Sequence, residues 1–275
     1  MNPKIDNLIN IAREYGLSVK ISTNGILLRD KIASVEKLDY VNVSMDSYDY
    51  ESFKKYRGGT QKQFDMIMDG LKLLKQKGVF FSMSYILSSE NLQEVDKMIE
   101  IAESIGPQFV YFHNINPHGC EQFKPLTLQD ENTKVFLEKM QKRCDYSFDI
   151  TVSTIFDTKL PSFREAQCIQ PWYALCCNTI GDISYCCHLA HDPKIGNIFD
   201  GYDFNSPEMV KFREDILAKK IPQSCLYCQR RFMGQYFCRF DSKRKEWFVR
   251  TPGDRADPGS DRGVVPLTTP QSTAR

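Results

Sequence analysis

The chain has 275 residues, 41% of them hydrophobic, and its 36 Lys and Arg against 35 Asp and Glu leave a net charge of +1. That balance creates no global field to gather nucleic acid or an anionic membrane, and no apolar run approaches the ~20 residues of a membrane span. The polar start MNPKIDNLINIAREYG lacks the apolar core of a secretion signal, so a cytoplasmic location is expected. In that compartment ten cysteines read more naturally as metal or cluster ligands than as disulfides.

Ile5, Leu8, Ile9 and Ala12 share a helical face that Gly16 ends. Residues 19–23 (VKIST) predict a short strand closed by Asn24-Gly25, and 40–45 (YVNVSM) a second one ending in Asp46. Phe64, Ile67, Met68, Leu71 and Leu74 form a helical stripe up to Gly78, followed by a strand at 79–87 (VFFSMSYIL). Val95, Met98, Ile99 and Ala102 mark a helix capped near Gly106-Pro107; residues 109–113 form a fourth strand, and 135–140 lie in another helix. Such alternation predicts right-handed βαβ units and a parallel sheet. Because the pattern opens on a helix, the expected fold is α/β: a truncated parallel (β/α) partial barrel over 1–160.

From Gln167 the texture changes, with Cys, Pro, Gly and aromatic residues crowding in. Residues 173–179 and 182–187 flank Gly181 as a β-hairpin, and Met209, Phe212, Ile216 and Leu217 give one helix. A boundary near Pro161 then sets off a small Cys-rich domain over 161–240, leaving 241–275 as a basic segment and tail. From Thr251 the tail has no aromatic residue and is expected to be disordered. Between Gln229 and Arg250 seven basic residues face two acidic ones, interleaved with Phe232, Tyr236, Phe237, Phe240, Trp247 and Phe248. The favoured reading is an amphipathic surface element, ahead of an RNA or acidic-peptide site.

Cys225-Leu-Tyr-Cys228 is a CxxC pair, and Cys168 and Cys186 flank the Gly181 hairpin as two further thiols. Four thiolates suit zinc and iron–sulfur clusters alike. Cys176, Cys177 and Cys187 read as core or alternating strand residues, Cys120 and Cys144 as unligated, and Trp172 as core.

The segment CIQPWYALCCNTIGDISYCC, followed by IGNIFDG and IPQSCLYC, resembles the SPASM or twitch domain of radical S-adenosylmethionine (SAM) enzymes. The resemblance implies one auxiliary 4Fe–4S cluster held by Cys168, Cys186, Cys225 and Cys228; a structural zinc site is the alternative. ISTNG at 21–25, VNVSMDS at 41–47 and Arg57-Gly58-Gly59 resemble the family's third and fourth barrel strands. By position this implies Asn24, Ser44 and Arg57 as SAM-facing residues, with Ser82 and Ser84 behind them on the next strand. The plainer reading makes the serines solvated or capping and pairs Arg57 with Asp46 or Glu51. His113, Asn114 and His118 are candidates to line a cavity at the strand ends.

The family's CxxxCxxC loop and its Gly-Gly-Glu-Pro segment do not occur in the sequence. The expectation is therefore that a complete form modifies a peptide or small-molecule substrate by radical chemistry, fed by an electron-donor protein, while this chain alone does not cleave SAM. The alternatives are a non-catalytic cluster- or zinc-binding accessory or peptide-binding protein, or a gene fragment.

Overall fold

The computed structural model describes residues 4–115, 124–155, 168, 170–186, 194–220, 236–250 and 265–266. These fall into two compact units: one of 4–155 with 236–250 and 265–266, the other of 168–220.

The first unit alternates helix and strand: α1 (Ile5–Glu14), β1 (Lys20–Thr23), α2 (Ile32–Val35), β2 (Tyr40–Ser44), α3 (Tyr50–Arg57), α4 (Gln61–Gln76), β3 (Phe81–Leu87), α5 (Val95–Ile105), β4 (Phe109–Asn114), α6 (Glu131–Lys142) and β5 (Asp149–Ile155). Local chemistry sets these limits. Asp49 and Ser52 cap α3 reciprocally, and Thr60 and Gln63 do the same for α4, each pair satisfying backbone donors that a helix start leaves open. Ile67, Leu71 and Leu74 on α4 and Val95, Met98, Ile99, Ala102 and Ile105 on α5 are buried, the stripes the sequence predicts.

Strands β1 to β5 pair in chain order and in parallel, as expected of an α/β partial barrel. β5 was not foreseen: its DITVSTI run follows a helix but carries too few large apolar residues to stand out. The strand pleat then divides the sheet into two chemistries. Val41, Val43, Phe81, Met83, Tyr85, Val110, Phe112, Ile150 and Val152 join the helical stripes in one core cluster. On the opposite face Ser44 aligns with Ser84, Ser84 with Tyr111, and Tyr111 with Thr151.

The segment read as a basic surface element is a hairpin of the first unit. β9 (Tyr236–Asp241) pairs antiparallel with β5, and β10 (Glu246–Arg250) with β9, so the domain limits at 240 and 241 do not hold. Cys238, Phe240 and Trp247 are buried while Arg239 is exposed, which is the alternation of a half-buried antiparallel edge. Val265–Pro266 pairs with β10 as a two-residue strand, β11; the rest of the tail expected to be disordered lies outside the described residues, as does Pro161.

The second unit holds α7 (Gln170–Tyr173), β6 (Cys176–Cys177), β7 (Asp182–Ser184), β8 (Gly196–Asn197) and α8 (Pro207–Leu217). The three strands form an antiparallel sheet in the order β6-β7-β8. No helix among the described residues is long and apolar enough to cross a membrane.

Candidate functional site

The carboxyl ends of the parallel strands gather several of the expected residues. Asn24 follows β1, where the Thr23 hydroxyl accepts the Gly25 N–H at 3.2 Å and the Asn24 side chain accepts the Ile26 N–H at 3.3 Å. Gly25 has φ +82°, and an added Cβ would lie 3.0 Å from Val43 Cγ1 and 3.1 Å from Ile67 Cγ2. This turn brings Asn24 to a cavity of about 440 Å³ that Arg57, Tyr56, Gly58, Gly59 and Gln63 also line. Asn24 also borders a second, mainly apolar cavity of about 490 Å³ with Ile5, Ile21, Ile26 and Leu27. Ser44 ends β2 on the polar face and lines neither of these two cavities.

Arg57, the last residue of α3, donates to Asp46 Oδ2 at 2.8 Å, the ion pair that the plainer reading named. Asp46 Oδ1 accepts the Ile86 N–H at 2.8 Å. Burial pushes the Asp46 carboxyl above its ordinary range, against the opposing pull of Arg57 and the Ile86 N–H. Sequence pattern gave no sign of the bond to Ile86, because an Asp after a strand reads as a turn residue.

Ser82 is the second residue of β3 and Ser84 its central one, neither at the carboxyl end. Ser82 Oγ donates to Asn42 Oδ1 at 2.7 Å and lies 2.5 Å from the Tyr40 hydroxyl, and Asn42 Nδ2 donates to Ser84 Oγ at 3.2 Å. These bonds satisfy polar groups within the sheet face. His113 Nδ1 lies 3.0 Å from Ser153 Oγ, and its ring stacks on Tyr111 at 5.7 Å. Burial lowers the His113 pKa and raises that of Tyr111 to about 12; both are neutral at pH 7. Asn114 instead ties down the segment after β4, with Nδ2 donating to the Leu126 carbonyl and Oδ1 accepting the Leu126 N–H. His118 lies outside the described residues.

In the second unit Gly181 adopts φ +85°, and its added Cβ would meet the Phe199 ring at 2.6 Å, so only glycine fits the turn. Asn178 Oδ1 accepts the N–H groups of Ile180 and Asp182, each at 3.0 Å, fixing the predicted hairpin. Cys176 and Cys177 sit on β6, as their strand reading requires. Beyond β7, Cys186 is buried against Phe212 and Ile216 of α8, with Cys168 and Tyr185 packed on the same cluster. Tyr185 stacks on Phe212 at 4.0 Å. Two of the four proposed thiols thus share one pocket of packing. Cys225 and Cys228 lie outside the described residues, and among the described residues no three His, Cys, Asp or Glu side chains form a metal-holding group. Two soft sulfur donors in one cluster fit a thiolate-held metal or iron–sulfur group. Trp172, expected in the core, is 40% exposed; its neighbour Pro171 is the buried residue.

A parallel β/α sheet with a polar inner face, and a small cysteine-bearing unit beside it in the chain, define the class of partial-barrel α/β proteins. The model of the radical SAM superfamily matches residues 1–102, so this part of the chain is similar to that superfamily. It is 23% identical over 244 residues to the antilisterial bacteriocin subtilosin biosynthesis protein AlbA of Bacillus subtilis, covering 83% of this chain and 53% of that one. It is 30% identical over 104 residues to a probable GTP 3',8-cyclase of Saccharolobus islandicus, covering 37% of this chain and 33% of that one. Among solved structures it resembles Streptococcus suis SuiB bound to S-adenosylmethionine, with TM-score 0.60 and 14% identity over 76% of this chain and 53% of SuiB. The chain thus spans from a third to about half the length of these relatives.

Proposed function

We propose that the chain is a radical SAM/SPASM-type protein that takes part in radical modification of a peptide. The observation that carries this reading is the joining of Asn24 and Arg57 on one cavity at the carboxyl ends of the parallel strands, inside the segment that the superfamily model matches. The peptide follows from the similarity to the bacteriocin biosynthesis protein and to SuiB, which has been seen bound to its precursor peptide SuiA.

In this reading Arg57 and Asn24 bind the polar parts of SAM from two sides of the cavity, and Ser44 adds a hydroxyl from β2. The inner sheet face holds the substrate, where His113 and Tyr111 are neutral hydrogen-bonding groups. Cys168, Cys186, Cys225 and Cys228 hold one auxiliary 4Fe–4S cluster, which when bound supplies an electron-transfer or substrate-anchoring centre. The burial of Cys186 against α8 shields such a group from solvent. None of the ten cysteines forms a CxxxCxxC spacing, so the chain alone does not cleave SAM reductively, and in a complete form an electron-donor protein feeds the reaction.

Two measurements test this. Anaerobic reconstitution should give about four irons per chain with broad absorption near ~400 nm, lost in Cys186→Ala and Cys225→Ala and kept in Cys177→Ala. Stoichiometric zinc that iron does not displace overturns the cluster. Anaerobic incubation with dithionite and SAM should yield no 5′-deoxyadenosine; multiple turnovers by pure protein overturn the assigned division of labour.

A further inference from the structure

Asp46 is a non-glycine residue with φ +53°, a conformation that costs an L-residue on the order of 1 kcal/mol and that Asp and Asn tolerate best. Its side chain is 12% exposed, and a carboxylate at that depth is costly unless it is paired. Both costs are accepted at one position, immediately after β2.

The geometry shows what is gained. The β2–β3 ladder ends where Ser44 aligns with Ser84, and the N–H groups of Met45 and Asp46 both donate to the Ser84 carbonyl, at 2.9 and 3.3 Å. The left-handed turn then carries the Asp46 side chain back onto the sheet, where Oδ1 takes the Ile86 N–H and Oδ2 takes Arg57. Arg57 is only 30% exposed and lies on the cavity that Asn24 shares. An arginine ending a helix on the protein surface would sample many rotamers; this one is held to a buried anchor on the neighbouring strand.

We propose that Asp46 is a positioning residue that fixes the Arg57 guanidinium at the mouth of the cavity, so that one face of the guanidinium is spent on Asp46 and its remaining donors are aimed at a bound ligand. The proposal rests on the reading that Arg57 contacts SAM. It assigns Asp46 no contact with the ligand. The groups acting on Asp46 are Arg57 from α3 and the Ile86 N–H from β3, and the Tyr85 phenol, also on β3, is a further titratable group whose ionisation Asp46 opposes.

The test is binding of SAM to the full chain by calorimetry across pH, with three variants. Asp46→Asn is at home at positive φ and keeps an acceptor for Ile86 while losing the charge that holds Arg57. Asp46→Gly relieves the backbone and removes the side chain altogether. Arg57→Ala should raise Kd about tenfold, the equivalent of one charge-assisted hydrogen bond, and both Asp46 variants should raise it several-fold. Wild-type affinity should also weaken as pH falls and the Asp46 carboxyl, held up by burial, takes a proton, and the Asp46→Asn profile should lack that loss. A purely structural role would lower the melting temperature without removing that pH dependence. If Arg57→Ala weakens binding and both Asp46 variants match wild type, the positioning role is overturned. If Arg57→Ala binds as wild type does, or wild type shows no binding, the underlying reading of the cavity falls instead.

Discussion

Asn24 and Gly25 do different work in the same turn: the first brings a polar side chain to the cavity, and the second allows the chain to pass between Val43 and Ile67. Gly25→Ala combines a positive φ with a crowded Cβ, so we expect a loss of about 1–3 kcal/mol in denaturant unfolding. His113 makes a pH-dependent contribution of definite sign. Its pKa is lowered by burial, so the unfolded chain binds the proton more readily. Stability should therefore be full above the unfolded value of about 6.5 and decline as pH falls below it. His113→Gln should remove that decline; an unchanged pH–stability curve between pH 7 and 5 would contradict it. The positions of Asn24 and Arg57 at the end of a strand and of a helix were legible from the Asn24-Gly25 and Arg57-Gly58-Gly59 signals. The pairing of Asp46 with Arg57 was among the readings of the sequence, but its bond to the Ile86 N–H was not, since Ile86 is 40 residues away. For Ser82, alternation gave the sheet face but not the height along the strand, and so not its bond to Asn42.

At the level of elements, α1, α4, α5, α6, α8 and β1 to β4 were legible because their apolar stripes act locally, within four residues, whereas the shorter α2, α3 and α7 carry no such stripe. β5 and the β9–β10 hairpin were not, because their identity as strands is settled by pairing with each other. Trp247 is the anchor of that pairing: its ring meets Tyr146 edge-on at 6.2 Å and Phe240 at 5.4 Å, and its Nε1 donates to the Arg143 carbonyl at 2.9 Å. Trp247→Ala should cost about 3–5 kcal/mol and increase hydrogen exchange at β9 and β5 together. Exchange confined to β10 would show that the hairpin frays without loosening the sheet. The basic residues of this hairpin are partly neutralised in place, with Arg239 on Asp149 at 3.0 Å and Arg244 near Asp241 at 4.0 Å, so reversing one of them should change salt sensitivity more than fold stability.

For the whole molecule, the sheet is assembled from both sides of the second unit. β5 ends at Ile155, and its antiparallel neighbour β9 begins at Tyr236, with these two residues paired. The cysteine-bearing unit is therefore an insertion whose entry and exit are held at one place, a relation invisible to a reading that moves along the chain and expects each domain to be finished before the next begins. This arrangement has a consequence for synthesis. A ribosome delivers β5 about 80 residues before β9, which at ~5–20 residues per second is a delay of roughly 4–16 s. Throughout that interval the outer edge of β5 has no partner, and an open edge recruits other strands. The inserted unit is synthesised within the same interval, before the strand that closes the edge exists. Chains arrested before β9 should therefore aggregate more readily than chains extended past Asp241, and equal solubility of the two would contradict this.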